Sequence, residues 1–235
     1  MKNLKKRAFA MFSGLMMIMN AETALSSTTQ ASAIIDWSTF TITGYGLGSN
    51  AAPIYTLNGQ SSNTSSSVSD WVNWNSDTSN NSNSFSVSTV GTGSGFGSAN
   101  ATRSANIDIV GNGFLVLSAY YKINAAISMP YNNTANASVN FVLSNSISNF
   151  TLSSQDNINL GMPWLPGSST LTSDQKQGTL TLTFMVNNGE VLNFSSAVSV
   201  NAHDFAVPVP AALWLFSSAL VGLVGLGHPR KAVMG

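Results

Sequence analysis

The chain has 235 residues, 43% of them hydrophobic and only 8% charged, against about 25% charged in an ordinary soluble domain; wholesale disorder is excluded and solubility must rest on hydroxyls and amides. The formal net charge is zero but unevenly placed, with Lys2, Lys5, Lys6 and Arg7 at the start, Arg230 and Lys231 at the end, and eight acids against three bases (Arg103, Lys122, Lys176) over 34–205. That central region, at −5, lacks the cations that displace counterions from phosphate, which excludes nucleic acid as a partner. With no cysteine there are no disulfides, thiolate metal sites or Cys nucleophiles, and with His203 and His228 as the only histidines there is no imidazole cluster for metal or acid/base work. No cofactor is expected.

The opening stretch "MKNLKKRAFAMFSGLMMIMNAETALSS" has a basic start and an apolar core over about 8–19, too short to span a bilayer and followed by small residues. It predicts an export signal over 1–33. Ala24-Leu25-Ser26 satisfies the small-x-small rule and gives cleavage after Ser26; Ala31-Ser32-Ala33 satisfies it too and would make Ile34 the first mature residue.

The region 34–205 is large enough for one well-buried core and predicts an all-β domain. Strands are expected over 35–45, 84–90, 138–143 and 198–202, and the Ser/Asn/Thr/Gly-biased 58–100 is read mostly as strands with long polar loops, because Trp71, Val72, Trp74, Phe85 and Val87 are spaced through it. Two hairpins stand out. In "SANIDIVGNGFLVLSAYYKINAAISM" a Gly111-Asn112-Gly113 loop pairs Ile109 with Leu115 and Ile107 with Leu117, and the second strand carries its inward face through Ala119, Tyr121, Ile123, Ala125 and Ile127, a length that calls for a bend or bulge. In "GTLTLTFMVNNGEVLNFSS" Leu180, Leu182, Phe184 and Val186 alternate with threonines, and an Asn187-Asn188-Gly189 loop pairs Phe184 with Leu192 and Leu182 with Phe194. Several hairpins and no amphipathic helix predict a single antiparallel β-sandwich of jelly-roll type.

Chemistry is sparse within this region. The acids Asp36, Asp70, Asp77, Asp108, Asp156, Asp174, Asp204 and Glu190 are the only material for paired-carboxylate hydrolysis; Asp174 in "TSDQKQG" and Glu190 beside a turn read as loop residues, and no pair stands out. In "SDWVNWNSD" the odd spacing puts Trp71 and Trp74 on opposite faces of a strand, one in the core and one at the surface, where an indole can contact a glycan. Asp70, Asn73, Asn75 and Asp77 are oxygen-rich but lack the spacing of a calcium loop, so no metal site is assigned. His203-Asp204 reads as linker.

The tail, "VPVPAALWLFSSALVGLVGLGHPRK", is uncharged over 206–227, and about 22 residues at 1.5 Å each match a hydrocarbon layer of roughly 30 Å. Trp214 suits the outer interface, and Arg230 and Lys231 mark the cytoplasmic side, which puts the acidic domain across the membrane. The stretch resembles the PEP-CTERM sorting signals of Gram-negative bacteria in their VPLPA-type variant: Val207, Pro208 and Pro210 match the motif, Ala211 extends it, and a hydrophobic helix and short basic tail follow over 206–235. Val209 stands where the type pattern has Glu, and "HPRKAVMG" replaces a run of arginines. The resemblance covers the last 25 to 30 residues and implies an exosortase-type processing enzyme, a transient stay at the inner membrane, and a cell-surface or extracellular destination in a biofilm or exopolysaccharide setting. The expected role is a structural matrix protein without catalytic activity, with a carbohydrate-binding module or adhesin as the alternative and a glycan-active enzyme behind both.

Overall fold

The computed structural model describes residues 28–69, 74–81, 83–128, 133–145, 148–161 and 172–204, and the segments read as the export signal's hydrophobic core and the sorting helix lie outside them. Among the described residues no helix is long and apolar enough to cross a membrane. The described residues are all-β. Ten strands, β1 (Thr28–Gly46), β2 (Ile54–Val68), β3 (Trp74–Asn80), β4 (Ser84–Thr92), β5 (Gly95–Val110), β6 (Gly113–Ser128), β7 (Thr134–Asn145), β8 (Phe150–Gly161), β9 (Thr172–Val186) and β10 (Val191–Asp204), form two five-stranded sheets. Their orders are β3-β4-β1-β6-β9 and β2-β5-β10-β7-β8, and every neighbouring pair is antiparallel. The sheets stack in parallel order, β3 against β2, β4 against β5, β1 against β10, β6 against β7 and β9 against β8.

The expected strands all fall inside observed ones, with 35–45 in β1, 84–90 in β4, 138–143 in β7 and 198–202 in β10. Both hairpins are corrected. β5 and β6 lie in different sheets, as do β9 and β10, so the turns after Val110 and Val186 are arches between sheets. The partners are exchanged: Leu115 and Leu117 pair with Phe184 and Leu182 across β6 and β9, while Ile107 and Ala105 pair with Leu192 and Phe194 across β5 and β10. Alternating apolar residues must face a core in either case, and an arch meets that demand by bringing the two rows face to face across the sandwich. The arches interlock through their asparagines: Gly111 N–H donates to Asn188 Oδ1 at 2.8 Å and Asn188 N–H to Asn112 Oδ1 at 2.7 Å. Gly111 and Gly189 take φ of 98° and 84°, which an L side chain would strain.

Within the sandwich Ile35, Phe85, Ile107, Ile109, Leu115, Leu117, Ile123, Phe141, Leu143 and Leu192 form the fully buried centre, and Ala119, Tyr121, Ile123, Ala125 and Ile127 line the inner face of β6 as read from the sequence. The bulge expected as one way to accommodate this long strand is not on β6, whose register with β9 is unbroken. It lies in its partner β1, where the ladder breaks between Asp36 and Thr41. With few charges, neighbouring strands are linked by hydroxyl pairs, Thr41–Ser118, Ser61–Ser104, Ser138–Ser199 and, on the inner side of β3 and β4, Ser76–Thr89, each directly opposed and 2.7–2.9 Å apart. Asp174 belongs to β9, opposite Ala125, and His203-Asp204 is the end of β10 with Asp204 buried, so neither is loop or linker.

Candidate functional site

Two ladder defects converge on one edge of the sandwich. After Asp36, β1 leaves β6 and rejoins it at Thr41, so four residues, Trp37 to Phe40, oppose the single Ala119. The loop is held locally: Asp36 Oδ1 accepts from Ser38 N–H at 3.0 Å and Ser38 Oγ–H at 2.6 Å, Thr39 Oγ1 donates to the Asp36 carbonyl at 2.7 Å, and Ser38 N–H reaches the Asn83 carbonyl at 3.2 Å. On β2 the ladder with β5 shifts between Asn58 and Ser61, where Gly59, at φ 58°, and Gln60 oppose Ala105. Bulges of this kind re-aim side chains, and here they turn Trp37 and Phe40 toward the space between the sheets.

Four rings meet there. Trp37 and Phe40 have centroids 4.5 Å apart, Phe40 stacks on Phe194 at 5.6 Å, and Phe141 meets Phe194 edge-on at 5.2 Å. The guanidinium of Arg103, on β5, lies 5.1 Å from the Trp37 ring centroid and 5.3 Å from that of Phe85. Its Nε–H and an Nη2–H donate to Asn80 Oδ1 at 2.8 and 2.5 Å, and Nη2 also donates to the Asn81 carbonyl. Asn81 is fixed in turn, its Oδ1 accepting from Asn83 N–H, Ser84 N–H and Ser84 Oγ–H. Burial pulls the Arg103 pKa down from its usual value, yet a guanidinium stays protonated in any protein. The result is a cleft of about 480 Å³ walled by Trp37, Phe40, Leu57 and Phe194 and rimmed by Gln60, Ser61, Ser62, Asn80, Asn81, Arg103 and Ser104. Among the described residues no carboxylate lines it.

The opposite edge, where β8 meets β9, is clasped. The Tyr121 hydroxyl, from β6, donates to Asp156 Oδ2 on β8, and Lys176 Nζ, from β9, donates to Asp156 Oδ1 at 3.0 Å and to the Asn157 carbonyl at 2.7 Å. Among the described residues this is the only salt bridge. Tyr121 is 7% exposed, and burial, then the hydrogen bond to Asp156 and its charge, push its pKa from 10.0 to about 12. Burial alone would raise the Asp156 pKa, but the hydrogen bonds from Tyr121 and Lys176, with that of Asn157 N–H, outweigh it and leave the group below its ordinary value.

The residues singled out from the sequence are elsewhere. Trp74, on β3, is 9% exposed, and its indole lies over Gly91 and Gly97, where an added Cβ would sit 2.0 and 3.0 Å from the ring; it does not line the cleft. Trp71 and the sorting residues Val207, Pro208, Pro210, Ala211, Trp214, Arg230 and Lys231 lie outside the described residues. Sequence reasoning passed over Trp37, Phe40 and Arg103. One signal for the first two was present: the apolar residues Ala31, Ala33, Ile35 and Trp37 are odd-numbered, whereas Phe40 and Ile42 are even, a phase slip that marks the bulge. Among the described residues no group of three or more His, Asp or Glu is placed to hold a metal ion.

No protein-family model matches the chain, and no curated protein matches it. Among solved structures, the enzymatically active domain of tailspike protein 4 from bacteriophage CBA120 is similar over 60% of this chain and 18% of that one, at 11% identity and a TM-score of 0.14. At that level the likeness carries no argument about fold or activity.

Proposed function

We propose that the chain is an exported cell-surface or extracellular-matrix protein, sorted through its C-terminal segment by an exosortase-type enzyme, whose sandwich holds polysaccharide in the cleft between β1, β2 and β5 without acting on it chemically. The observation that carries the binding reading is the cleft itself. Aromatic walls with amides and hydroxyls at the rim suit a sugar ring, which has apolar faces and a hydroxylated edge. A hydrolytic site would need two carboxylates across the groove, and the described lining residues include none.

The sorting reading draws support from where the ends of the sandwich sit. Thr29 Oγ1 donates to Asp204 Oδ2 at 3.5 Å, so the start of β1 and the end of β10 share one pole of the sandwich. Of the two cleavage positions, the one after Ser26 is supported by β1, which begins at Thr28 and buries Ala31 and Ala33 at 2% and 1% exposure. Cleavage after Ala33 would strip six residues from a strand paired on both sides. We further read the sandwich as jelly-roll-like: β4 to β10 follow jelly-roll order, crossing between the sheets at each step except β7 to β8, which pair in one sheet, with β1 in the place of the closing strand and β2 and β3 added at one edge.

Two experiments test this. Intact mass of the mature chain, from cells with and without the sorting enzyme, should show a start at Ser27 and loss of the tail only when the enzyme is present; retention of the tail in the normal host contradicts sorting. Polysaccharide pull-down should fall at least tenfold in Phe40→Ala and Trp37→Ala, checked for cooperative unfolding, and undiminished capture contradicts the cleft as the binding site.

A further inference from the structure

We infer that the cleft selects an anionic saccharide, a sugar ring carrying a carboxylate or sulfate, with Arg103 as its counter-ion. This rests on the saccharide-binding reading and adds a charge requirement to it. Arg103 is one of three bases in a region with eight acids, yet among the described residues no carboxylate pairs with it. Its neighbours among the described residues are neutral: the Asn80 amide, the Asn81 carbonyl and two aromatic faces. A guanidinium has five N–H donors. Nε and Nη2 are engaged, while Nη1 has no acceptor among the described residues.

A second donor lies in the same lining. Trp37 Nε1–H is buried with no hydrogen-bond partner among the described residues, and a buried donor without an acceptor costs about 1–3 kcal/mol. An acceptor-rich anion entering the cleft would meet the guanidinium directly, and would reach the Trp37 indole N–H only with a small shift of that ring. A neutral sugar can meet the rim amides and hydroxyls but leaves the cation uncompensated. The surrounding charge makes the discrimination sharper, because an acidic domain repels a polyanion everywhere except where a cation is fixed and partly shielded from solvent. Asn80, Asn81 and the rings of Trp37 and Phe85 hold the guanidinium in place, so its orientation is set before any ligand arrives.

The test is calorimetric titration of the purified chain with oligogalacturonate, with the same oligomer after carboxyl reduction to neutral galactose units, and with a sulfated galactose oligomer of equal length. The wild-type chain should bind the uronate or the sulfated oligomer about tenfold or more tightly than the reduced one, and the stronger of the two identifies the anionic group. Arg103→Gln should bring the acidic and neutral oligomers to within about twofold of each other, and Arg103→Lys should restore part of the preference. Equal wild-type affinity for charged and reduced oligomers overturns the charge inference and leaves saccharide binding standing. Absence of binding by all three overturns both. The comparison of native and reduced ligands on the wild-type chain remains decisive even if Arg103→Gln fails to fold.

Discussion

The two edges of this sandwich handle the same problem, how to finish the gap between two sheets, in opposite ways. At the β8/β9 edge Tyr121, Asp156 and Lys176 reach across and tie the sheets together, with charge and counter-charge in one cluster. At the β2/β3 edge the strands bulge, aromatic rings fill part of the gap, and the one cation present has neutral acceptors in place of a carboxylate. The difference teaches where a chain with so few charges uses them: a matched set closes one side, and an unmatched one is left facing a cleft on the other.

Substitutions can break or sharpen that contrast. The largest effect is expected from Phe141→Ala, which removes a fully buried ring packed against Trp37, Phe40 and Phe194. A loss of about 3–5 kcal/mol in denaturant unfolding is predicted; a loss below about 1 kcal/mol would mean the rings contribute little to the fold. Asp156→Ala should cost about 2 kcal/mol, since it strands the buried Tyr121 hydroxyl, while the exposed Lys176 ammonium keeps the Asn157 carbonyl and water and adds little; saccharide affinity stays unchanged. An affinity change there would mean the edges are coupled.

Tyr121→Phe comes next, at about 1–2 kcal/mol near neutral pH, and it also changes the pH profile. The folded Tyr121 pKa lies above its unfolded value, so the stabilisation is fully present below pH 10.0 and is lost as pH rises toward about 12. The variant should lack that alkaline component when compared with wild type over the same window. Asp156 has the opposite sign: its folded pKa is lowered, so its contribution is present above the usual carboxylate range and lost as pH falls through the lowered value. The smallest effect belongs to the hydroxyl pairs. Ser138→Ala should cost no more than about 1 kcal/mol, as one half-buried cross-strand contact to Ser199 is lost.

How much of this was legible in the sequence depended on whether a residue's surroundings repeat locally. Alternation along β6, β9 and β10 revealed strands and inward faces, because a period of two is a property of one segment. Partner choice is not, and Ile107 with Leu117 reads as well as Ile107 with Leu192 until the sheets are assigned. Strand β2 gave no alternating signal because nearly all of it is exposed on both faces. Trp74 drew attention through its spacing from Trp71, but glycines on two neighbouring strands give its ring a buried seat. Arg103 looked like one base among three; only the approach of Asn80, Trp37 and Phe85 from other strands gives it a site.

The most direct test of the open edge as the binding site uses two indoles. Trp37 Nε1 and Trp74 Nε1 are both buried without hydrogen-bond partners among the described residues, but only Trp37 lines the cleft. In nitrogen-15 spectra of the labelled chain, assigned with Trp37→Phe and Trp74→Phe, oligogalacturonate should move the Trp37 indole resonance to a saturable endpoint and leave that of Trp74 in place. Saturable binding with the Trp37 resonance unmoved, or with the Trp74 resonance shifting in its stead, would contradict the account.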